Sequence, residues 1–283
     1  MSACRKSLDS AEDLFNRIEE VPEGHTIHRI ARDQKRCLIG RALSVTSPQG
    51  RFETEARQLD GEMILQIEAW GKHLFYDWSG GQTLHVHLGL YGKFRLRKIP
   101  LPEPRGQIRL RVEGDERGFD LHGPNQCELI SPQFREEIIG RLGPDPLRSD
   151  ADPEAAWDRI ERSRAAIGGL LLNQSVLAGV GNVYRAEALY QLGIHPDRPG
   201  NSLDRAEFDC LWNLLRDWLK LGVKYNRIIT TDASQFGKTP GRLTRGERLM
   251  IYKKNECREC GTPVDSWICG ARKIYACPTC QPG

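Results

Sequence analysis

The chain has 283 residues, 39% hydrophobic and 28% charged, with a formal net charge of +3. That make-up excludes a low-complexity chain and fits a globular protein of two or three domains. No apolar run approaches the ~20 residues of a membrane-spanning helix, so no membrane partner is expected.

Residues 1–20 hold five acids and three bases and lack the apolar core of a secretory signal, so the positive excess lies in the rest of the chain. From Gly24 to Cys37 the apolar positions Ile27, Ile30 and Ala31 recur at helical spacing, predicting one helix that closes near Gly40. The period then changes. "MILQIEAW" (63–70) and "KHLFYDW" (72–78) are apolar-rich runs broken at Gly71, while "TLHVHL" (83–88), "KFRLRKI" (93–99) and "QIRLRVE" (107–113) alternate. This predicts an antiparallel sheet or sandwich with one wet face. "LGPDPL" (142–147) is expected to link two domains. From about residue 153 the pattern is helical again, to roughly 224. Within it, "LLLNQSVLAGVGNVYRAEALYQLGIHP" (170–196) reads as two helical patterns joined by "AGVG". Gly179 and Gly181 permit a tight turn, Asn182 can cap the second helix, and amides at its start can hold a phosphate. A plain helical hairpin is the alternative.

The segment 242–273 has eight bases and four acids, which fits phosphate binding or a solvated surface. Around it stand "CREC" and "CPTC", so that Cys257, Cys260, Cys277 and Cys280 form C-x2-C-x16-C-x2-C. Four thiolates at that spacing can surround one Zn2+ and leave no position for water, so the ion would be structural; free thiols or two disulfides are the alternative. Cys4, Cys37, Cys127, Cys210 and Cys269 are scattered singles, and an odd count without a signal suggests a reducing, cytoplasmic setting. Arg272 precedes the second knuckle, as a phosphate grip or an ordinary surface arginine.

"PEG" (22–24), "GKHLF" (71–75), "HLGLYG" (87–92), "LGPDPL" (142–147), "AGVGNVYRAEALY" (178–190) and "GARKIYACPTCQ" (270–281) occur in one order. That order resembles the formamidopyrimidine-DNA glycosylase / endonuclease VIII (Fpg/Nei) family. The resemblance implies an α+β multidomain protein. A β-sandwich catalytic domain with flanking helices would span 22–150, a helix–two-turn–helix domain 151–245 and a zinc finger 246–283. The implied activity is that of a bifunctional DNA glycosylase and abasic-site lyase. Its partner would be double-stranded DNA containing oxidised bases or abasic sites, met by a monomer in the bacterial cytoplasm at the nucleoid. Pro22 would attack C1′ through its amine, Glu23 would move protons, and Lys72 would hold a phosphate and assist departure of the base. His87, Asn182 and Arg272 would bind phosphates, and Leu90 and Tyr91 would fill the space left by the extruded nucleotide.

Three departures matter. His25 and Thr26 stand where the family commonly carries proline and glutamate. "DLHGPNQCEL" (120–129) lacks the arginines with which the formamidopyrimidine branch reads the opposite base, which favours oxidised pyrimidines over oxidised purines. Third, Pro22 is joined to Val21 by a peptide bond, which leaves no amine to react. A GTG codon at position 21, read as an initiator methionine and then removed, would free it and make 1–21 a non-native extension. A Pro22 that stays blocked would instead leave a non-catalytic damaged-DNA binding protein.

Overall fold

The structure, a computed structural model, describes residues 21–283. The expected extension lies outside the described residues, Val21 excepted. The first helix, α1, runs Gly24–Leu38 and buries Ile27, Ala31 and Leu38. Gly40, with φ of +73°, closes it where a side chain would be strained.

Eight strands follow, with α2 (Glu53–Leu59) after the first. They are β1 (Ser44–Thr46), β2 (Ile64–Trp70), β3 (His73–Trp78), β4 (Thr83–His87), β5 (Lys93–Lys98), β6 (Ile108–Glu113), β7 (Arg117–His122) and β8 (Gln126–Ile130). They form two antiparallel sheets, in the orders β2-β3-β4-β8 and β1-β6-β7-β5. Their inner faces share one core containing Leu74, Tyr76, Leu84, Val86, Leu110, Val112 and Phe119. The β4–β5 connection passes from one sheet to the other, so its loop sits at the rim of the sandwich.

The expected wet face is absent from β3 and β4. His85 and Phe75 point away from the core and are still buried. Arg135, on α3 (Pro132–Gly140), lies 5.5 Å above the Phe75 ring and pairs with Glu68 on β2. A cation held by a carboxylate can cover an aromatic face as well as apolar packing does.

The segment 142–147 is more than a link. Residues 143–146 are buried, and the Asp145 carboxylate accepts from the Gly71 amide at 2.7 Å and the Leu147 amide at 2.9 Å, and meets His28 Nε2 at 2.6 Å. A buried carboxylate with these partners fixes the segment in place as a strap.

Beyond it come α4 (Pro153–Glu161), α5 (Ile167–Leu172), α6 (Asn182–Gln191) and α7 (Arg205–Tyr225). The helical pattern expected to run up to the "AGVG" turn stops at Asn173, because Gln174 satisfies the turn itself: its amide donates to Val180 O and accepts from Gly179 N. The long α7 starts on a capping box of Asp204 and Glu207 and ends at Asn226 in the left-handed region. The hairpin β9 (Asp265–Cys269) and β10 (Arg272–Ala276) carries the end of the chain, and Cys269, Ile274 and Cys277 join the core of the helical region. Among the described residues, no helix is long and apolar enough to cross a membrane.

Candidate active site and nucleic-acid interface

Helix α6 begins without a cap of its own. Gly181 is its N-cap residue, no side chain of its own first turn bonds there, and that turn holds no acid. The cap comes from 158 residues upstream. Glu23 Oε2 accepts from Gly181 N at 2.8 Å and Oε1 from Val183 N at 2.9 Å. The amides that the sequence offered to a phosphate are therefore occupied by a carboxylate. A negative charge there complements the positive end of the helix dipole.

Close backbone approach makes this possible. Gly24 N donates to Gly179 O at 2.8 Å. A Cβ on Gly24 would lie 2.8 Å from Gly179 Cα, and one on Gly181 would lie 2.3 Å from Glu23 Cδ. The glycines of "PEG" and "AGVG" thus serve one contact between the sandwich and the helical region.

Lys72 completes the group. Gly71, whose φ is +57°, turns the chain into β3, and Lys72 Nζ donates to Val180 O at 2.9 Å. Burial pulls the Lys72 ammonium down to about 8, with Glu23 opposing the shift. Burial also raises the Glu23 carboxyl above its ordinary range, against the pull of Lys72 and the α6 amides. A carboxyl with a raised pKa beside an amine with a lowered one is a pair able to give and take protons near neutrality.

Pro22, Glu23, Lys72, His87, Leu90, Asn182 and Arg272 all line one cleft of about 450 Å³, which Val21 also enters. His87 has no hydrogen-bond partner at its buried Nδ1, and burial lowers its pKa to about 4, so it is a neutral imidazole at pH 7. Leu90 and Tyr91 are 49% and 85% exposed at the tip of the β4–β5 loop, an uncommon setting for two large apolar side chains. Tyr91 faces the neighbouring groove, which also reaches Pro22 and is lined by His25, Thr26 and Arg29. Of the departures, His25 is a packing residue. It is buried edge-on against the Tyr184 ring at 5.4 Å, its pKa driven by burial down to about 3, under Gly222 of α7, where a Cβ would meet its ring.

Asn182 is the first residue of α6 rather than its cap. Its side chain donates to Lys273 O at 3.0 Å. Sequence reasoning missed Arg185. Fully buried, it donates to Gly168 O, Cys269 O and Arg272 O, and its Nε to Asn182 Oδ1, at 2.7–3.0 Å. Glu187, equally buried, accepts from the amides of Met250, Ile251 and Tyr252. The signal was present: a base and an acid two apart in an otherwise apolar helix have no counter-ions in sequence reach, so they must serve distant backbone.

The thiolate-bearing atoms of Cys257, Cys260, Cys277 and Cys280 all lie within 4.8 Å of one another. Three of their Sγ separations are 3.5, 3.6 and 3.8 Å. A tetrahedron with metal–sulfur bonds of about 2.3 Å has edges of about 3.8 Å, so the set fits a bound metal ion. Tyr190 OH lies 3.0 Å from Cys257 Sγ. Cys269 stands apart, buried under α5.

Comparison with known proteins agrees with this arrangement. Residues 21–125 match the family model described as the formamidopyrimidine-DNA glycosylase N-terminal domain, and 142–234 that described as its H2TH domain. The chain is 45% identical to "Endonuclease 8 1" of Mycobacterium tuberculosis over 92% of this chain and 100% of that one. It is 32% identical to the formamidopyrimidine-DNA glycosylase of Thermus thermophilus over 93% and 98%. The fold matches Lactococcus lactis Fpg in complex with abasic-site DNA with a TM-score of 0.75 at 23% identity, covering 92% of this chain and 100% of that one. The chain therefore belongs to the formamidopyrimidine-DNA glycosylase / endonuclease VIII family.

Proposed function

We propose that the protein is a base-excision DNA glycosylase with abasic-site lyase activity, acting on oxidised bases and among them on oxidised pyrimidines. The observation that carries the reading is the Pro22–Glu23 pair in a cleft where the Glu23 carboxyl and the Lys72 amine perturb each other. A free Pro22 is a secondary amine that titrates near pH ~8, so a useful fraction is neutral. Its lone pair forms a bond to C1′, and the base leaves with the electrons of the glycosidic bond. Glu23 takes the proton from the Pro22 nitrogen, the C1′–O4′ bond opens to an iminium, and Glu23 passes that proton to the ring oxygen. Loss of a C2′ proton expels the 3′ phosphate by β-elimination, and δ-elimination removes the 5′ phosphate. Lys72, His87, Asn182 and Arg272 hold phosphates around the bend, while Leu90 and Tyr91 occupy the gap in the stack. The four cysteines hold Zn2+, which keeps the hairpin bearing Arg272 in place.

Two observations support oxidised pyrimidines: β7 and β8 are joined by Gly123–Asn125 alone, without room for an arginine-bearing loop, and the 45% relative is named an endonuclease 8. The family match begins at residue 21, which supports Pro22 as the working first residue; the enzyme would act at the nucleoid in the cytoplasm. Borohydride trapping on an abasic-site duplex tests the chemistry, using protein whose intact mass shows Pro22 first. A covalent adduct is expected. Binding without an adduct would leave a damaged-DNA binding protein, and faster release of 8-oxoguanine than of thymine glycol or dihydrouracil would replace the pyrimidine reading.

A further inference from the structure

Strand β5 leaves the exposed Leu90–Tyr91 loop after Gly92 and forms the free edge of its sheet. Its alternation sends Phe94 and Leu96 toward the sandwich core and Lys93, Arg95 and Arg97 to the opposite face. The two exposed guanidinium groups of that face, Arg95 and Arg97, would ordinarily be answered by acids across the ladder. Here the partners on β7 are His122, Asp120 and Gly118. Asp120, directly opposite Arg95, is buried and already held by both forks of Arg111, at 2.7 and 3.0 Å. His122 contributes no negative charge, and its Nε2 has no hydrogen-bond partner. Arg95 and Arg97 are exposed and make no hydrogen bond or ion pair among the described residues. Lys93 and Arg95 also line the groove of about 1920 Å³ that runs to Pro22 past Leu90 and Tyr91, whose lining also includes Arg29, Arg227 and, among the described residues, one acid, Asp33, paired with Arg29.

An edge strand with unanswered guanidinium groups repels a second strand edge and attracts a polyanion. We propose that the exposed face of β5, carried by Lys93, Arg95 and Arg97, is a phosphate-binding strip that grips the duplex flank beside the nucleotide displaced at the Leu90–Tyr91 loop. The proposal rests on the glycosylase reading and extends it to DNA beyond the lesion. From Lys93 to Arg97 the strand advances about 13 Å, the axial rise of roughly four nucleotides. The contacts are to backbone, so they add affinity without reading sequence.

The test is the salt dependence of binding to a duplex bearing a tetrahydrofuran abasic analogue. Each phosphate neutralised contributes about 0.9 to the slope of log affinity against log salt. Arg95→Ala/Arg97→Ala should lower that slope by about 2, leave single-turnover cleavage of an abasic duplex at saturating protein unchanged, and be rescued by Arg95→Lys/Arg97→Lys. Arg57→Ala/Arg162→Ala removes the same charge outside the groove and should leave the slope unchanged. A wild-type slope in the Arg95/Arg97 double variant overturns the strip while leaving the glycosylase reading intact, as does an equal fall in the control. Wild-type protein that does not bind the abasic duplex at all would sink both.

Discussion

Lys72 joins position and charge in one side chain. It is tethered to Val180 O and faces Glu23, and burial holds its pKa at about 8. As pH rises through that value the ammonium is lost, and with it the cation that would meet a phosphate. Base excision should therefore fall above pH ~8. In Lys72→Arg, whose guanidinium stays charged, that limb should move upward by two units or more, whatever the change in absolute rate. A pH–rate profile under single-turnover conditions checks this. The linkage to folding has the opposite sense. A lysine with a depressed folded pKa binds fewer protons than its unfolded counterpart between about 8 and 10.5, so its cost to stability is complete below that window and relieved across it. The basic limb in activity is thus separable from alkaline unfolding. From the sequence, Pro22, Glu23 and Lys72 were visible only because surrounding motifs fell in order; alone, a proline and glutamate opening a helix suit helix geometry and dipole. Arg185 showed in the sequence only as a charge out of place in an apolar helix, its partners undetermined, and the Asp145–His28 pair was invisible, because these partners are backbone groups and side chains brought near by folding.

At the level of elements, α6 accepts its cap from a different domain, and that dependence is specific to Gly181. Gly181→Ala should place its Cβ against the Glu23 carboxylate and push it off the amides. Tertiary packing of α6, eight of whose ten residues are buried, should keep the helix even with its cap lost, yet strand cleavage should drop about 100-fold, the order of a displaced general acid. Circular dichroism and cleavage kinetics on one preparation separate the two effects. Alternation predicted β5 and β6 well, because each keeps one face in the core. It missed the double burial of β3 and β4, since nothing in "KHLFYDW" or "TLHVHL" announces that Arg135 will lie across Phe75. The helix expected to reach the "AGVG" turn stopped short for a local reason: Gln174 satisfies backbone groups that a continued helix would have used.

For the molecule as a whole, the order of sandwich, helices and cysteine hairpin was legible from periodicity and spacing, while the joints between them were not. The cysteine hairpin has no core of its own among the described residues; its buried residues belong to the helical region, and Arg185 fastens two of its carbonyl groups, Cys269 O and Arg272 O, to α5 through Gly168 O. Stripping the metal with a chelator should loosen the hairpin, leave the Arg185 charge short of partners and lower the melting temperature, since a buried charge without partners costs about 3–5 kcal/mol. Affinity for an abasic duplex should fall with it, because Arg272 and the carbonyl held by Asn182 lie on the same hairpin. Thermal melting and anisotropy before and after metal replacement check the prediction.

The Glu23 cap reaches further. One carboxylate rivets the two lobes together and in the proposed reaction also carries protons, and its fit depends on a glycine in the opposite lobe. Chimeras that exchange one lobe between relatives therefore inherit a lock without its key unless positions 23 and 181 travel as a matched pair.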